Sequence, residues 1–284
     1  MVNQKIWHVA WTVDDGATPH TSAMAENFPG KTRPATWYIV RDRLTKSNMC
    51  IYRRLQDEGH EIAIHGLHPT QNHLSWFPGQ PPNKKFETYQ DFSTAMDDLE
   101  SFYEYLMENG FFVNFVRAPY GLNTEVLWAL KKEGQSKAAL KDAHNVIKGR
   151  VSPTDPPAMH KVAANMGKLR TKLKELNLHL WGGDPGGNIY NKSWEFESAA
   201  ANTGRTDSLN ASGIRDKLTE IGKRATKMAS DVILCHDTTK ADVIQVKDDI
   251  KEMEKQANKD NTKLVYHTMT QLFKLRVGRD PYPR

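Results

Sequence analysis

Apolar residues along the chain fall into seven runs of strand length, separated by polar and helix-like segments. The runs are "KIWHVAWTV" (5–13), "PATWYIV" (34–40), "HEIAIHG" (60–66), "GFFVNFVRAPYG" (110–121), "LNLHLWGG" (176–183), "SDVILCHD" (230–237) and "KLVYHT" (263–268). Their length and their content of β-branched and aromatic residues predict strands or strand ends.

Amphipathic helices are predicted between several of these strands, because apolar residues recur there at spacings of three and four. Three such sets are Phe92, Met96, Leu99, Tyr103 and Leu106; Ile214, Leu218, Ile221, Ala225 and Met228; and Val243, Val246, Ile250, Met253 and Ala257. Strands that alternate with helices indicate parallel βα units. For 284 residues, the simplest architecture is one α/β domain over residues 1–284, a distorted (β/α) barrel of about seven parallel strands.

Two stretches depart from this alternation. Residues 131–177 hold eleven Lys or Arg and four Asp or Glu residues. Because charge runs are usually solvated surface, we interpret the stretch as a basic helical insertion, with a basic lip beside a substrate cleft as the alternative. The Pro-rich segment "WFPGQPPNKK" (76–85) is interpreted as a loop near the substrate, because it carries Trp76 and Phe77.

Composition narrows the classes of partner. The chain is 38% hydrophobic and 26% charged, with a mean hydropathy of −0.66, which suits a globular protein without a membrane span. A formal net charge of +5 and a pI near 9.0 favour anionic partners such as an acidic glycan. Nucleic acid is less well supported, since the sequence has no basic stripe interleaved with aromatic residues.

Titratable residues gather where the predicted strands end. In chain order they are Asp14, Asp15, His65, His68, Arg117, Asp184, His236 and Asp237. An Asp-Asp-Gly sequence by itself is typical of a solvated turn. A turn does not explain titratable residues at five different strand ends, whereas parallel βα folds carry their functional residues at these ends.

These residue types suit a hydrolytic metal site. Two histidines and one carboxylate form a set of three protein ligands that leaves positions open for water and substrate. Zinc fits this set, and cobalt, nickel or another divalent ion suits the same ligands. If one aspartate of the pair binds the ion, its neighbour lies close to the attacking water and can take its proton.

Four motifs in order resemble those of the polysaccharide deacetylases, the NodB homology type of carbohydrate esterase family four. "TVDDG" resembles T-F-D-D-G, "GHEIAIHGLHP" resembles G-H-E-I-x-x-H-T-x-x-H, "RAPYG" resembles R-P-P-Y-G and "VILCHD" resembles I-x-L-x-H-D. The resemblance spans residues 6 to about 275. It implies a NodB-type barrel and a metal-dependent hydrolase that acts on an acetylated oligo- or polysaccharide.

The resemblance also implies residue roles. Asp14 would be the general base, and Asp15 and His65 would be metal ligands. Arg117 would pair with Asp14 and keep it ionised. His236 would protonate the leaving amine or alcohol.

Substrate contacts follow from the same motifs. The backbone N–H of Tyr120 would hold the oxyanion together with the metal. Trp181 and Leu234 would line the pocket for the acetyl methyl group.

The second metal histidine of the family is displaced in this chain. Pro69 stands at the family position, four residues after His65, and the available imidazole is His68. Because spacings of three and four share one side of a helical turn, His68 is predicted as the third ligand. His73 or a water molecule is the alternative.

The family's fourth motif, W-x-x-D-x-x-D-W, is also altered. "WGGDPGGN" retains Trp181 and Asp184 but places Gly187 and Asn188 where the second Asp and Trp would stand. Asp184 is therefore predicted to tune His236. If this support is missing instead, a weaker acid step or a shifted pH optimum would follow.

Three functions remain open from the sequence. The first is removal of acetyl groups from N-acetylated amino sugars, or O-deacetylation of a polysaccharide. The second is hydrolysis of a small cyclic amide, as in allantoinase-like or imide hydrolases of this fold. The third is a glycan-binding module that has lost catalysis.

Location is predicted only in outline. The first residues, "MVNQK", lack the apolar region of a secretory signal, and Cys50 and Cys235 form no disulfide framework. The expected glycans lie outside the cell or on its surface. A secreted enzyme that has lost its signal and a virion-associated enzyme both agree with this sequence.

Overall fold

The computed structural model describes residues 4–71, 74–79, 87–181, 195–197, 218–219 and 229–277. The strands are β1 (Lys5–Gly16), β2 (Ala35–Ile39), β3 (Glu61–Ile64), β4 (Val113–Arg117), β5 (His179–Trp181), β6 (Glu195–Glu197), β7 (Ala229–His236) and β8 (Thr262–His267). The α-helices are α1 (Thr21–Ala25), α2 (Met49–Asp57), α3 (Phe92–Glu108), α4 (Leu122–Lys132), α5 (Leu140–Ile147), α6 (Pro157–Glu175), α7 (Lys240–Lys259) and α8 (Met269–Val277). Within these ranges, no helix has the length and apolar character needed to cross a bilayer.

The strands are joined in one sheet with β1 near its centre. The order is β5-β4-β3-β2-β1-β7-β6, and β8 pairs with β1 off this path. β1 runs parallel to β7 and β8, β4 runs parallel to β5, and β6 runs parallel to β7. The fold is therefore of the predicted class, an α/β protein of the distorted (β/α)-barrel type.

β1 is apolar along most of its length because it is covered on both faces. Trp7, Val9, Ala10 and Trp11 are all fully buried. Parallel strands with two covered faces give a continuous apolar run rather than an alternating pattern. The indole of Trp11 packs against Phe28, with ring centroids 5.7 Å apart.

The chain divides into two compact units. The first comprises Met1–Tyr38, Lys46–Ile62 and Asn191–Arg284, and the second comprises Ile39–Thr45 and Ala63–Tyr190. The divisions fall within β2 and β3, so each of these strands contributes residues to both units. The prediction of a single domain stays a prediction.

Most of the elements predicted from hydrophobic spacing are confirmed. The seven predicted strands correspond to β1 to β5, β7 and β8, and the first and third predicted helices correspond to α3 and α7. The predicted helix over 214–228 lies outside the described residues except at 218 and 219. The stretch 131–177 contains α5 and α6, whereas β6 was not predicted because three residues are too short for a periodic signal.

Candidate active site

The two aspartates of "TVDDG" lie at the C-terminal end of β1. Asp14 is buried and is aligned with His236 in the parallel pairing of β1 with β7. Asp15 has a φ of 73°, a left-handed conformation that a residue with a Cβ adopts at some energetic cost. In this conformation its Oδ2 lies 4.0 Å from Nε2 of His236. The first unit thus brings the predicted carboxylates and the predicted acid together.

Contacts that the motifs do not indicate hold the loop after β1. A Cβ at Gly16 would overlap the hydroxyl of Tyr52 on α2, so a larger residue there would displace Tyr52. Asp237 is buried, and its carboxylate accepts a hydrogen bond from the hydroxyl of Thr21. Its backbone carbonyl accepts another from the hydroxyl of Thr18 at 2.6 Å. Neither threonine follows a spacing that would single it out in the sequence.

The buried thiol next to His236 is unsuited to nucleophilic chemistry. Burial raises the pKa of Cys235 well above its usual value, and the carboxylates of Asp14 and Asp237 raise it further. Because the thiolate is the reactive form, Cys235 is not placed to act as a nucleophile.

In the second unit, His65 follows β3 and is fixed by the end of β4. Its Nδ1 lies 3.0 Å from the backbone carbonyl oxygen of Arg117. Since a carbonyl only accepts hydrogen bonds, Nδ1 carries the proton and the basic lone pair of the ring is on Nε2. This arrangement is typical of metal-binding histidines. Both His65 and Arg117 are buried.

His68 has a different hydrogen-bond state. Its Nδ1 accepts the backbone N–H of Thr70 at 3.2 Å, and its ring centroid lies 5.8 Å from that of Tyr89. The lone pair of the neutral ring is therefore on Nδ1, and Nε2 carries the proton. His68 must give up its contact with Thr70 before Nε2 can bind a metal.

A fully buried carboxyl group on α4 organises the loop around Tyr120. Oε2 of Glu125 accepts the backbone N–H of Trp76 at 3.0 Å. Burial is the largest influence on Glu125 and raises its pKa to about 8, although hydrogen bonds from the backbone of Trp76, Phe77 and Tyr120 oppose this rise. The motifs give no indication of Glu125, because it lies in a helix and pairs with a loop 49 residues away.

The predicted substrate contacts differ in their burial. Trp181 ends β5, is aligned with Arg117 on β4, and is buried. Leu234 lies on β7 and is partly exposed. Trp76 and Phe77 are fully buried, and the prediction that their loop lies near the substrate stays a prediction. Their rings pack into the protein, and Phe77 contacts Phe92 with centroids 4.6 Å apart.

The sequence of residues 2–138 matches the model of the polysaccharide deacetylase family. The matched region includes three of the four motifs, with Asp14, Asp15, His65 and Arg117. Over this region the chain is similar to the polysaccharide deacetylases. Enzymes of this family are carbohydrate deacetylases, which are hydrolases.

Solved structures of deacetylases resemble this chain. The catalytic domain of a peptidoglycan N-acetylglucosamine deacetylase from Eubacterium rectale is 12% identical, with a TM-score of 0.51, over 95% of this chain and 91% of that chain. A family 4 acetyl xylan esterase from Clostridium thermocellum, in complex with cobalt, is 15% identical, with a TM-score of 0.49, over 96% and 94% of the two chains. At such identity the Eubacterium structure shows a shared fold alone. Among curated proteins, none matches the chain.

Two residues named from the deacetylase motifs lie outside the described residues. They are Asp184, the predicted partner of His236, and His73, the alternative to His68. Among the residues that are described, no three His, Cys, Asp or Glu side chains form a group that could hold a metal ion. Asp15 belongs to the first unit and His65 to the second, and each side chain taken by itself is of a type that binds a divalent ion, whereas His68 is available only after it releases Thr70.

Proposed function

We propose that the chain is a metal-dependent hydrolase that removes acetyl groups from the N-acetylated amino sugars of a glycan. O-deacetylation of a polysaccharide is the alternative, since it would use the same residues. The observation that carries the proposal is the 4.0 Å approach of Asp15 to His236 at the adjoining ends of β1 and β7. The match of residues 2–138 to the polysaccharide deacetylase family favours the deacetylase over the hydrolysis of a cyclic amide.

His65 and Asp15 are the proposed ligands of one divalent ion, with zinc preferred over cobalt or nickel. The support is the hydrogen bond of His65 Nδ1 to the Arg117 carbonyl, which leaves the basic lone pair on Nε2. A bound ion would polarise the acetyl carbonyl and lower the pKa of water. His68 is the proposed third ligand, with the change of tautomer that its contact with Thr70 requires.

In the proposed chemistry, the general base lies at the end of β1 and the general acid lies at the end of β7. Asp14 is proposed to take a proton from the attacking water, with Arg117 as its proposed partner. His236 then donates a proton to the leaving amine or alcohol. Asp184 is proposed to tune His236.

The oxyanion and the acetyl methyl group have separate proposed contacts. The backbone N–H of Tyr120 donates to the oxyanion. Because this N–H also bonds to Glu125, the oxyanion would compete with that carboxyl group for it. Trp181 and Leu234 line the methyl pocket.

The proposed partner is an acetylated oligo- or polysaccharide outside the cell or at its surface. The net charge of +5 agrees with a glycan that carries negative charge. A basic lip at residues 131–177 would help to hold such a polymer, and Lys131, Lys141 and Lys168 are exposed there.

Metal content and acetate release test the proposal together. Elemental mass spectrometry is applied to the wild type, His65→Ala and His68→Ala, with His160→Ala as control because His160 is exposed on α6. Acetate is measured from N-acetylglucosamine oligomers and from acetylated xylan. We expect about one ion per chain in the wild type and the control, none in the two ligand variants, and acetate from the oligomers.

The other outcomes each refute part of the proposal. A wild type without metal and without acetate release would indicate a glycan-binding module. Release from xylan alone would assign O-deacetylation. An ion retained in His68→Ala would exclude His68 and direct the search to His73.

A further inference from the structure

We propose that Asp237, Thr18 and Thr21 form a clasp that positions the Asp14–Asp15 pair against His236. This Asp237 clasp rests on the proposed function, because it assigns positioning residues to that same site. None of the three residues is proposed to touch the substrate.

Two threonine hydroxyls donate the hydrogen bonds that form the clasp. Thr21 Oγ1 donates to Oδ2 of Asp237, and Thr18 Oγ1 donates to the backbone carbonyl of Asp237 at 2.6 Å. Each hydroxyl also accepts a backbone N–H, Thr21 from Thr18 at 2.9 Å and Thr18 from His20 at 3.0 Å. Residues 18–21 are therefore tied both to one another and to the residue after β7.

Burial makes these hydrogen bonds hard to exchange for water. Asp237 and Thr21 are both 0% exposed. A buried carboxylate is costly unless hydrogen-bond donors surround it, and bonds to a charged acceptor are stronger than neutral ones. The position of the loop is thus coupled to the position of Asp237.

The clasp acts at the places in the chain where the candidate catalytic groups are attached. Asp237 directly follows His236, and Thr18 is the third residue after Asp15. The left-handed backbone of Asp15, with a φ of 73°, persists only if its surroundings hold it. Catalytic and metal-binding groups must be held within about 0.5 Å of a productive geometry, so small loop displacements are expected to matter.

The chain that follows Asp237 is also held in place by hydrogen bonds. Thr239 Oγ1 accepts the N–H of Asp242 at 3.1 Å, while Asp242 Oδ2 accepts the N–H of Thr239 at 2.7 Å. This capping box fixes the start of α7. Asp237 therefore lies between two ordered elements, β7 and α7, which suits a residue that positions others.

Thr36 provides a matched control for Thr21. It is also fully buried, its hydroxyl donates to a buried carboxylate, Glu61, at 3.0 Å, and it accepts the backbone N–H of Met269 at 2.8 Å. Thr36 lies on β2 and belongs to no proposed catalytic or binding group. Valine at either position removes the same kind of donor and acceptor at nearly constant volume.

The experiment compares Thr21→Val with Thr36→Val in the full chain. Zinc affinity is measured by titration calorimetry, kcat and KM by acetate release, and loop opening by amide hydrogen exchange of residues 14–21. We expect Thr21→Val to bind zinc roughly tenfold to hundredfold more weakly, as for other residues that support metal ligands. It should lose kcat with little change in KM and exchange faster at residues 14–21, whereas Thr36→Val should change none of the three.

Further variants keep the proposal testable. Thr21→Ser retains the hydroxyl and should restore zinc affinity and slow exchange. If Thr21→Val does not fold, Thr18→Val repeats the comparison at a partly exposed position. Equal zinc affinity, kcat and exchange in the Thr21 and Thr36 variants would overturn the clasp. A wild type that binds no zinc and releases no acetate would refute the proposed function, while hydrogen exchange would still decide the clasp.

Discussion

Glu125→Gln tests whether a buried carboxyl group makes this protein less stable as the pH rises. Glu125 is fully buried, and burial raises its pKa from 4.5 to about 8. Glutamine keeps the shape and a carbonyl oxygen that can accept the N–H of Trp76, but it carries no charge at any pH. The substitution therefore removes the ionisation and little else.

The direction of this pH effect follows from how many protons Glu125 binds in the folded and in the unfolded protein. Between pH 4.5 and about 8, folded Glu125 keeps a proton that the unfolded chain has released. The free energy of unfolding therefore falls as the pH rises through this window, and it is not affected by Glu125 below it. At about 1.4 kcal/mol per pKa unit, the whole difference amounts to up to about 5 kcal/mol. This is a large fraction of the roughly 5 to 15 kcal/mol that stabilises most domains.

Urea denaturation followed by tryptophan fluorescence at pH 5, 6, 7 and 8 measures the effect. We expect Glu125→Gln to gain stability relative to the wild type as the pH rises, with most of the gain between pH 5 and 8. Glu104→Gln, at an exposed position on α3, is the control and should follow the wild type. A constant difference between Glu125→Gln and the wild type at all four pH values would refute the reasoning.

Two further predictions concern polar contacts of β1, one of them half-buried and the other buried. Burial lowers the pKa of His267 to about 4, with His8 as a second cause, and the two rings share a hydrogen bond of 2.9 Å. Unfolded His267 binds a proton below about 6.5, so stability should fall as the pH drops from 6.5 towards 4. His267→Gln should reduce this loss in urea denaturation at pH 4.5 and 6.5, and an unchanged acid sensitivity would contradict the assignment. Trp7→Phe removes the indole donor to the buried Asp231, a contact of 2.7 Å, and should cost about 2 to 3 kcal/mol by the same assay at pH 7. Trp37→Phe is the matched control, because the indole nitrogen of Trp37 has no hydrogen-bond partner among the described residues, and equal losses in the two variants would exclude the hydrogen bond as the cause.

Most strands and the main candidate residues could be predicted from the sequence. "KIWHVAWTV" predicts a strand over residues 5–13, and β1 spans Lys5–Gly16. Asp14, Asp15 and His236 were predicted to meet, because parallel strands carry their functional residues at one end. These predictions succeed because burial on both faces of a strand leaves a local apolar pattern.

Contacts between distant polar groups could not be predicted in this way. The tautomer of His65 is set by a carbonyl 52 residues away, and the Asp237 clasp joins positions 216 residues apart. The burial of Trp76 and Phe77 could not be predicted either, since a Pro-rich loop has no periodicity that distinguishes a buried aromatic ring from an exposed one.

The sequence by itself determined the α/β class, the order of strands and helices, and the residue types at the strand ends. Hydrophobic spacing is a local property, and it survives in the sequence wherever an element is covered by its neighbours. Only the tertiary structure decided which nitrogen of His65 holds the proton, that Glu125 is buried beside the Trp76 loop, and that Thr18 and Thr21 hold Asp237. Each of these depends on the partner that the fold brings within hydrogen-bond distance, and spacing along the chain does not encode that partner.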